Sequence, residues 1–189
     1  MNWTRSDVLA LARNRCAKCL GWGLRSRHSE TGKPCGCVLR SIFRACLNKF
    51  RECVEMEPSV TRAKLEWSFG SSRKTAWSRK EAEYMADFLL IAKRTLTEDE
   101  HRIFRYHFLL GADWKLCCLK LKIDRGAFFH AVYRIMQKLG RRYSEIEPFA
   151  LFPLDEYFCG TTRVTPIQRP PSTPPGGDLS ERVPLRRVA

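Results

Sequence analysis

The chain is 189 residues long, with 34 Lys and Arg against 20 Asp and Glu and a formal net charge of +14. That length accommodates one medium domain or two small modules, and no run of 18 apolar residues is present to cross a bilayer. Residues 1–7 lead into a mixed stretch rather than a signal-peptide core, so an intracellular, cytoplasmic protein is expected. The positive balance favours a polyanionic partner, with nucleic acid ahead of an acidic membrane surface.

The nine cysteines are unevenly spread. Six fall between Cys16 and Cys53, Cys117 and Cys118 are adjacent, and Cys159 stands alone. An odd number at close spacing, with no secretion signal, points to metal binding rather than to a disulfide framework. The composition divides the chain into a cysteine-rich module over 1–57, a connector over 58–77, a helical domain over 78–158, and a basic, Pro-rich tail over 159–189. From Gly160 onward lie six of the ten prolines. Such a tail cannot bury enough apolar surface to offset its ordering entropy and is expected to be disordered. The predicted class is mainly α.

In the first module Cys16 and Cys19 are two residues apart within Cys16-Ala17-Lys18-Cys19-Leu20-Gly21-Trp22-Gly23, and Cys35-Gly36-Cys37 follows. A tight turn brings two such thiolates to one side of the backbone, and glycine allows the chain to fold back over a metal. Cys16, Cys19, Cys35 and Cys37 together form a soft donor set suited to tetrahedral, structural Zn²⁺. His28 and Cys46 are the alternatives for a shifted ligand set. Cys46 and Cys53 share a helical stripe with Leu39, Ile42, Phe43 and Phe50, however, and are more simply packed thiols. The unit over 16–23 resembles the cysteine- and glycine-rich repeat of DnaJ-type zinc domains. That resemblance implies a metal site but not co-chaperone activity, because the chain lacks the His-Pro-Asp signature of a J-domain.

Ser78 and Glu81 have the spacing of a capping box for the next helix, and Thr97 and Glu100 have it for another that runs to about Leu110. Glu98, Asp99 and Glu100 suit the positive N-terminal end of this second helix. Gly111 ends it. Asp113 is then positioned to cap a two-turn helix over 114–122. Asp124 caps a longer one, in which Phe128, Val132, Ile135 and Leu139 share a face. A short helix, a brief turn and a longer helix with a basic polar face form a helix-turn-helix pattern. The second helix would enter a major groove roughly 12 Å wide. Arg125 and His130 stand where base or sugar contacts are expected. Gln137 lies on the same polar face, and Arg134, Lys138, Arg141 and Arg142 are placed for phosphates.

Residues 96–141 resemble the fourth-region helix-turn-helix of bacterial sigma factors and related phage transcription proteins. The family's glycine before the short helix falls on Gly111, its cap on Asp113, its downstream glycine on Gly126 and its helix-borne arginine on Arg134. Its acidic residue is replaced by Leu116 and its turn glycine by Lys122, which is strained if that position is left-handed. A four-cysteine module joined to such a helix-turn-helix also resembles the late antiterminators of lambdoid phages. This implies double-stranded DNA and RNA polymerase as partners.

Residues 144–158 combine acids with large apolar side chains and suit a strap packed across the helical domain or a segment docking another protein. RNA recognition is the rival binding function, with Trp22, Trp67 and Trp77 as stacking candidates. A protein-interaction adaptor is the other non-enzymatic alternative. The sequence contains no HExxH or paired metal-acid motif, so neither an enzyme nor a small-molecule substrate is expected.

Overall fold

The computed structural model describes residues 3–26, 29–65, 72–147 and 149–159, with side chains described outside 57–78. The fold is mainly helical. Strand β1 (Trp3–Thr4) pairs antiparallel with β2 (Thr31–Gly32), Trp3 opposite Gly32 and Thr4 opposite Thr31. Helix α1 (Arg5–Leu9) opens on a capping box, the Asp7 backbone N–H donating to Thr4 Oγ1 at 3.4 Å and the Thr4 N–H to Asp7 Oδ2 at 3.0 Å. The long helices α2 (Gly36–Leu65) and α3 (Ser72–Thr95) follow, then α4 (Glu98–Ile103), which runs directly into a wider π-helical turn over Phe104–Leu109. Helices α5 (Trp114–Leu121), α6 (Arg125–Glu145) and α7 (Leu154–Cys159) complete the described chain.

The apolar stripe expected on the first long helix is the inner face of α2. Leu39, Ile42, Phe43, Cys46 and Cys53 are buried and Phe50 is partly so. That face packs chiefly on α6, whose Phe128, Val132, Ile135 and Leu139 are all buried, while α3 closes against both helices. One cluster of buried side chains extends from Val8 and Cys19 through the aromatic centre to Tyr157, spanning the cysteine-rich segment and the helical half. At its centre the rings of Phe43 and Phe108 meet edge-on at 4.9 Å, and Phe88 stacks on Tyr143 at 5.0 Å. The buried hydroxyls are satisfied by carbonyls: Tyr84 donates to Cys46 O at 3.1 Å and Tyr143 to Phe88 O at 3.4 Å.

Of the expected helix signals, the Ser78–Glu81 capping box needs correction. α2 remains helical to Leu65 and α3 begins at Ser72, so Ser78 lies within a helix and does not cap one. Glu81 is instead buried opposite Lys49, 3.9 Å away. The Thr97–Glu100 box does form, with Glu100 N–H on Thr97 Oγ1 at 3.4 Å and Thr97 N–H on Glu100 Oε2 at 3.2 Å. Gly111 terminates the following turn at φ +70°. Asp113 caps α5 through Leu116 N–H at 2.8 Å, and Asp124 caps α6 through Ala127 N–H at 2.9 Å.

Residues 149–159 form a strap. Leu151 is buried and its carbonyl receives the Cys46 thiol at 3.8 Å, while Phe152 N–H reaches Tyr143 O at 3.0 Å. Tyr157 donates to Asp87 Oδ2 at 2.9 Å and packs edge-on against Tyr84. Beyond Cys159, the tail expectation lies outside the described residues.

Candidate metal centre and nucleic-acid interface

The metal site begins with backbone conformation. Cys16 N–H bonds Arg13 O, Leu20 N–H bonds Cys16 O at 2.7 Å, and Trp22 N–H bonds Cys19 O at 2.8 Å, winding residues 13–22 into successive tight turns. Reversal of the chain requires positive φ at Leu20 (48°), Gly21 (87°) and Gly23 (84°). A side chain at Gly23 would also collide with Val8, its Cβ 2.6 Å from Val8 Cγ2, so glycine is required there both for angle and for space. Leu24 then bridges to Pro34, and Cys35 N–H bonds Gly23 O at 2.8 Å, which delivers the second cysteine pair to the first at the start of α2.

All four expected ligands converge. The sulfurs of Cys16, Cys19, Cys35 and Cys37 lie within 4.8 Å of one another, with Cys16–Cys35 at 3.9 Å and Cys19–Cys37 at 3.6 Å. Four sulfurs about 2.3 Å from a central Zn²⁺ would be about 3.8 Å apart. A disulfide would place two of them about 2.05 Å apart, and all four thiols are free. The cluster is able to hold a metal ion.

Proton occupancy within the cluster is uneven. The Cys19 backbone N–H leads in lowering the Cys16 thiol to about 6, against the opposing effect of burial. Burial pushes Cys37 up to about 12 despite an N–H from Arg13, and burial likewise raises Cys35. Burial thus opposes ionisation of Cys35 and Cys37, and a divalent cation supplies the charge that favours their thiolate forms. Cys46 takes no part: it is buried in α2 with its thiol on the strap carbonyl, and burial raises it to about 12. His28 lies outside the described residues.

The second site is the α5–α6 pair. α6 carries Arg125, His130, Arg134, Lys138, Arg141 and Arg142 and no acid before Glu145. Its opposite face is the core, so helical periodicity turns these cations outward. His130, Tyr133, Arg134, Gln137, Lys138 and Arg141 line a depression of about 350 Å³. Arg125 packs over the rings of Trp114 (5.1 Å) and Phe129 (5.9 Å), while Arg142 is exposed. Arg134 and Lys138, expected on phosphates, are both held by Glu100. Arg134 Nε is 2.8 Å from Oε1 and Lys138 Nζ is 2.8 Å from Oε2. The Glu100 side chain is 5% exposed and its partners are 61% and 38% exposed, so both cations still present charge to solvent. Burial raises the Glu100 carboxyl, but hydrogen bonds from Lys138, Thr97 and Arg134, with the charge of Lys138, bring it below its ordinary value.

Of the stacking candidates, Trp22 is half-buried and one ring face is covered by Arg5, 3.7 Å from its centroid, while Trp67 and the Trp77 side chain lie outside what is described. Cys117 is buried with its thiol 3.8 Å from Ala112 O, and Cys118 packs against the core, consistent with filling roles. Arg13, Arg15, Lys18 and Arg25, which surround the cysteine cluster, were not singled out by motif reasoning. Their only sequence signal is the interleaving of basic residues with the ligands. No described helix is long and apolar enough to cross a membrane. Comparison of the chain with protein-family models, curated proteins and solved structures returns no match.

Proposed function

We propose that this protein binds double-stranded DNA sequence-selectively in transcription regulation, with α5 and α6 as a helix-turn-helix and a structural Zn²⁺ on Cys16, Cys19, Cys35 and Cys37. RNA polymerase is the second partner, in an antitermination role. The observation that carries this reading is the outer face of α6, which bears cations of a single sign from Arg125 to Arg142 on a helix whose other face is anchored in the core. Arg125 and His130 lie in the first two turns of α6, just after the Asp124 cap, and in a recognition helix these would be the residues facing base edges. Arg141 and Arg142, about three turns beyond His130 on the same helix, would meet backbone phosphates. The Cys₄ site would act as scaffolding, since a metal held by all four thiolates has no open position for a substrate.

The test is selection of duplexes from a random pool by the zinc-loaded protein, followed by titration of the winning duplex and of a single-stranded RNA at several salt concentrations. Enrichment of a defined sequence, with a duplex preference that persists at high salt, is expected, because purely charge-driven binding weakens steeply with salt. No enrichment, or tighter binding to the RNA, defeats the reading. Capture of purified RNA polymerase on the selected duplex checks the second partner.

A further inference from the structure

The metal knuckle and α6 are not separate surfaces. Gly36, at the first turn of α2, lies against Gln137 of α6, close enough that a Cβ there would be 3.1 Å from the Gln137 amide carbon. Gln137 therefore lines both the depression on α6 and a larger open groove of about 1000 Å³ over the cysteine cluster. Arg13, Arg15, Lys18, Arg25 and Arg40 line that groove, and no carboxylate does. Among the described residues Arg13, Arg15, Arg25 and Arg40 make no ion pair, and Arg40 Nε is buried without a hydrogen-bond partner. Arg44 joins the same field: desolvation, then the like charges of Arg13 and Arg40, press its guanidinium below the ordinary arginine range.

Mutually repelling cations gathered in one groove call for an anion. A four-thiolate site holding a divalent metal carries two negative charges, fewer than the four arginines around it, so balancing the metal does not account for all of them. A small anion would be gripped by a compact set of donors. Here the charges are spread along an open groove that continues onto α6, which matches a polymer with charges at regular intervals. We propose that this groove is a second nucleic-acid contact, binding the phosphodiester backbone of the tract that α6 engages. Gln137 marks the point where the two contacts join. The inference rests on the duplex-binding reading and extends the footprint from one helix to the metal knuckle.

The experiment is a fluorescence-anisotropy titration of a duplex of about 25 base pairs against the full-length, zinc-loaded chain at three salt concentrations. Three proteins are compared: wild type, the groove variant Arg13→Gln/Arg15→Gln/Arg25→Gln, and the helix variant His130→Ala/Arg141→Gln. The three groove side chains are exposed, so the fold tolerates their replacement, and metal content and melting temperature are measured alongside. Removing three phosphate contacts should lower the slope of log affinity against log salt by about 3 and weaken binding by roughly tenfold or more at moderate salt. Metal content should be unchanged.

A groove variant with wild-type affinity and slope overturns the inference, and a weakened helix variant in the same experiment leaves the α6 reading standing. The reverse pattern, groove weakened and helix unchanged, supports the groove and defeats the reading of α6. Loss of metal from the groove variant assigns its arginines to the metal centre and overturns the inference. So does tighter binding of an acidic peptide than of the duplex. If wild type binds no duplex at all, both readings fall.

Discussion

Gly140 of α6 lies directly against the backbone carbonyl of Leu39 in α2, and a Cβ at Gly140 would overlap that oxygen. The contact sets how closely the two central helices approach, and it lies one turn from the Gly36–Gln137 contact that joins the two basic surfaces. Gly140→Ala opposes two effects. Helix propensity alone would favour alanine by about 1 kcal/mol. Overpacking against a backbone atom, which cannot rotate away, costs about 1–3 kcal/mol and occasionally more. The steric cost should win, leaving a net loss of about 1–2 kcal/mol in urea unfolding. A stabilised variant would show that the helices separate freely.

Glu100 is the one buried carboxylate on which Arg134 and Lys138 converge. Its folded pKa lies below its unfolded value of about 4.3. The cluster therefore contributes its full stability above that value and loses it as pH falls through the folded pKa. Glu100→Gln should cost about 1–2 kcal/mol near neutrality, discounted because both cations are partly solvated, and should make the acid limb of the stability curve shallower. An acid limb identical to wild type would remove Glu100 from the linkage. Arg134→Ala also breaks this contact, so it probes folding together with DNA binding. His130 and Arg141, outside that ion pair, give the cleaner reading of the interface.

Much of this arrangement was legible from local chemistry. The thiol spacing identified the four cysteines that converge, and the Asp113 and Asp124 caps bounded the helix pair, because both signals act over a few residues. What could not be read was long-range. Glu100 looked like a residue suited to a helix dipole. Only the approach of α4 to α6 makes it the counter-ion of Arg134 and Lys138, 34 and 38 positions away in sequence. Ser78 carried the right residue type for a cap, but the helix had already begun. The basic groove has no motif either, since Arg13, Arg25 and Arg40 meet only after the knuckle folds onto α2.

Lys122 adopts φ 54° and ψ 45°, in the left-handed region, where α5 ends and Ile123 N–H returns to Cys118 O at 3.2 Å. A side chain there costs about 1–2 kcal/mol, whereas glycine loses part of that advantage through the greater freedom of the unfolded chain. Lys122→Gly should raise stability by about 0.5–1 kcal/mol, read as a higher melting temperature with unchanged metal content. A lower melting temperature would mean that the lysine side chain supports the turn in some other way.

Cysteine substitutions separate the metal site from the core. Cys19→Ser removes a buried ligand and should lose bound zinc and cooperative melting together. Cys46→Ala removes a packed thiol outside the cluster and should cost about 1–2 kcal/mol while keeping its zinc. Acid should act on the same site. Cys35 and Cys37 are held as thiols by burial, so an incoming metal must displace about two protons or more near pH 7.5. Apparent zinc affinity should then fall by roughly two decades or more for each pH unit of acidification. Proton release on zinc addition in weak buffer measures the stoichiometry directly, and a value well below two would mean that those thiols are already ionised or do not bind the metal.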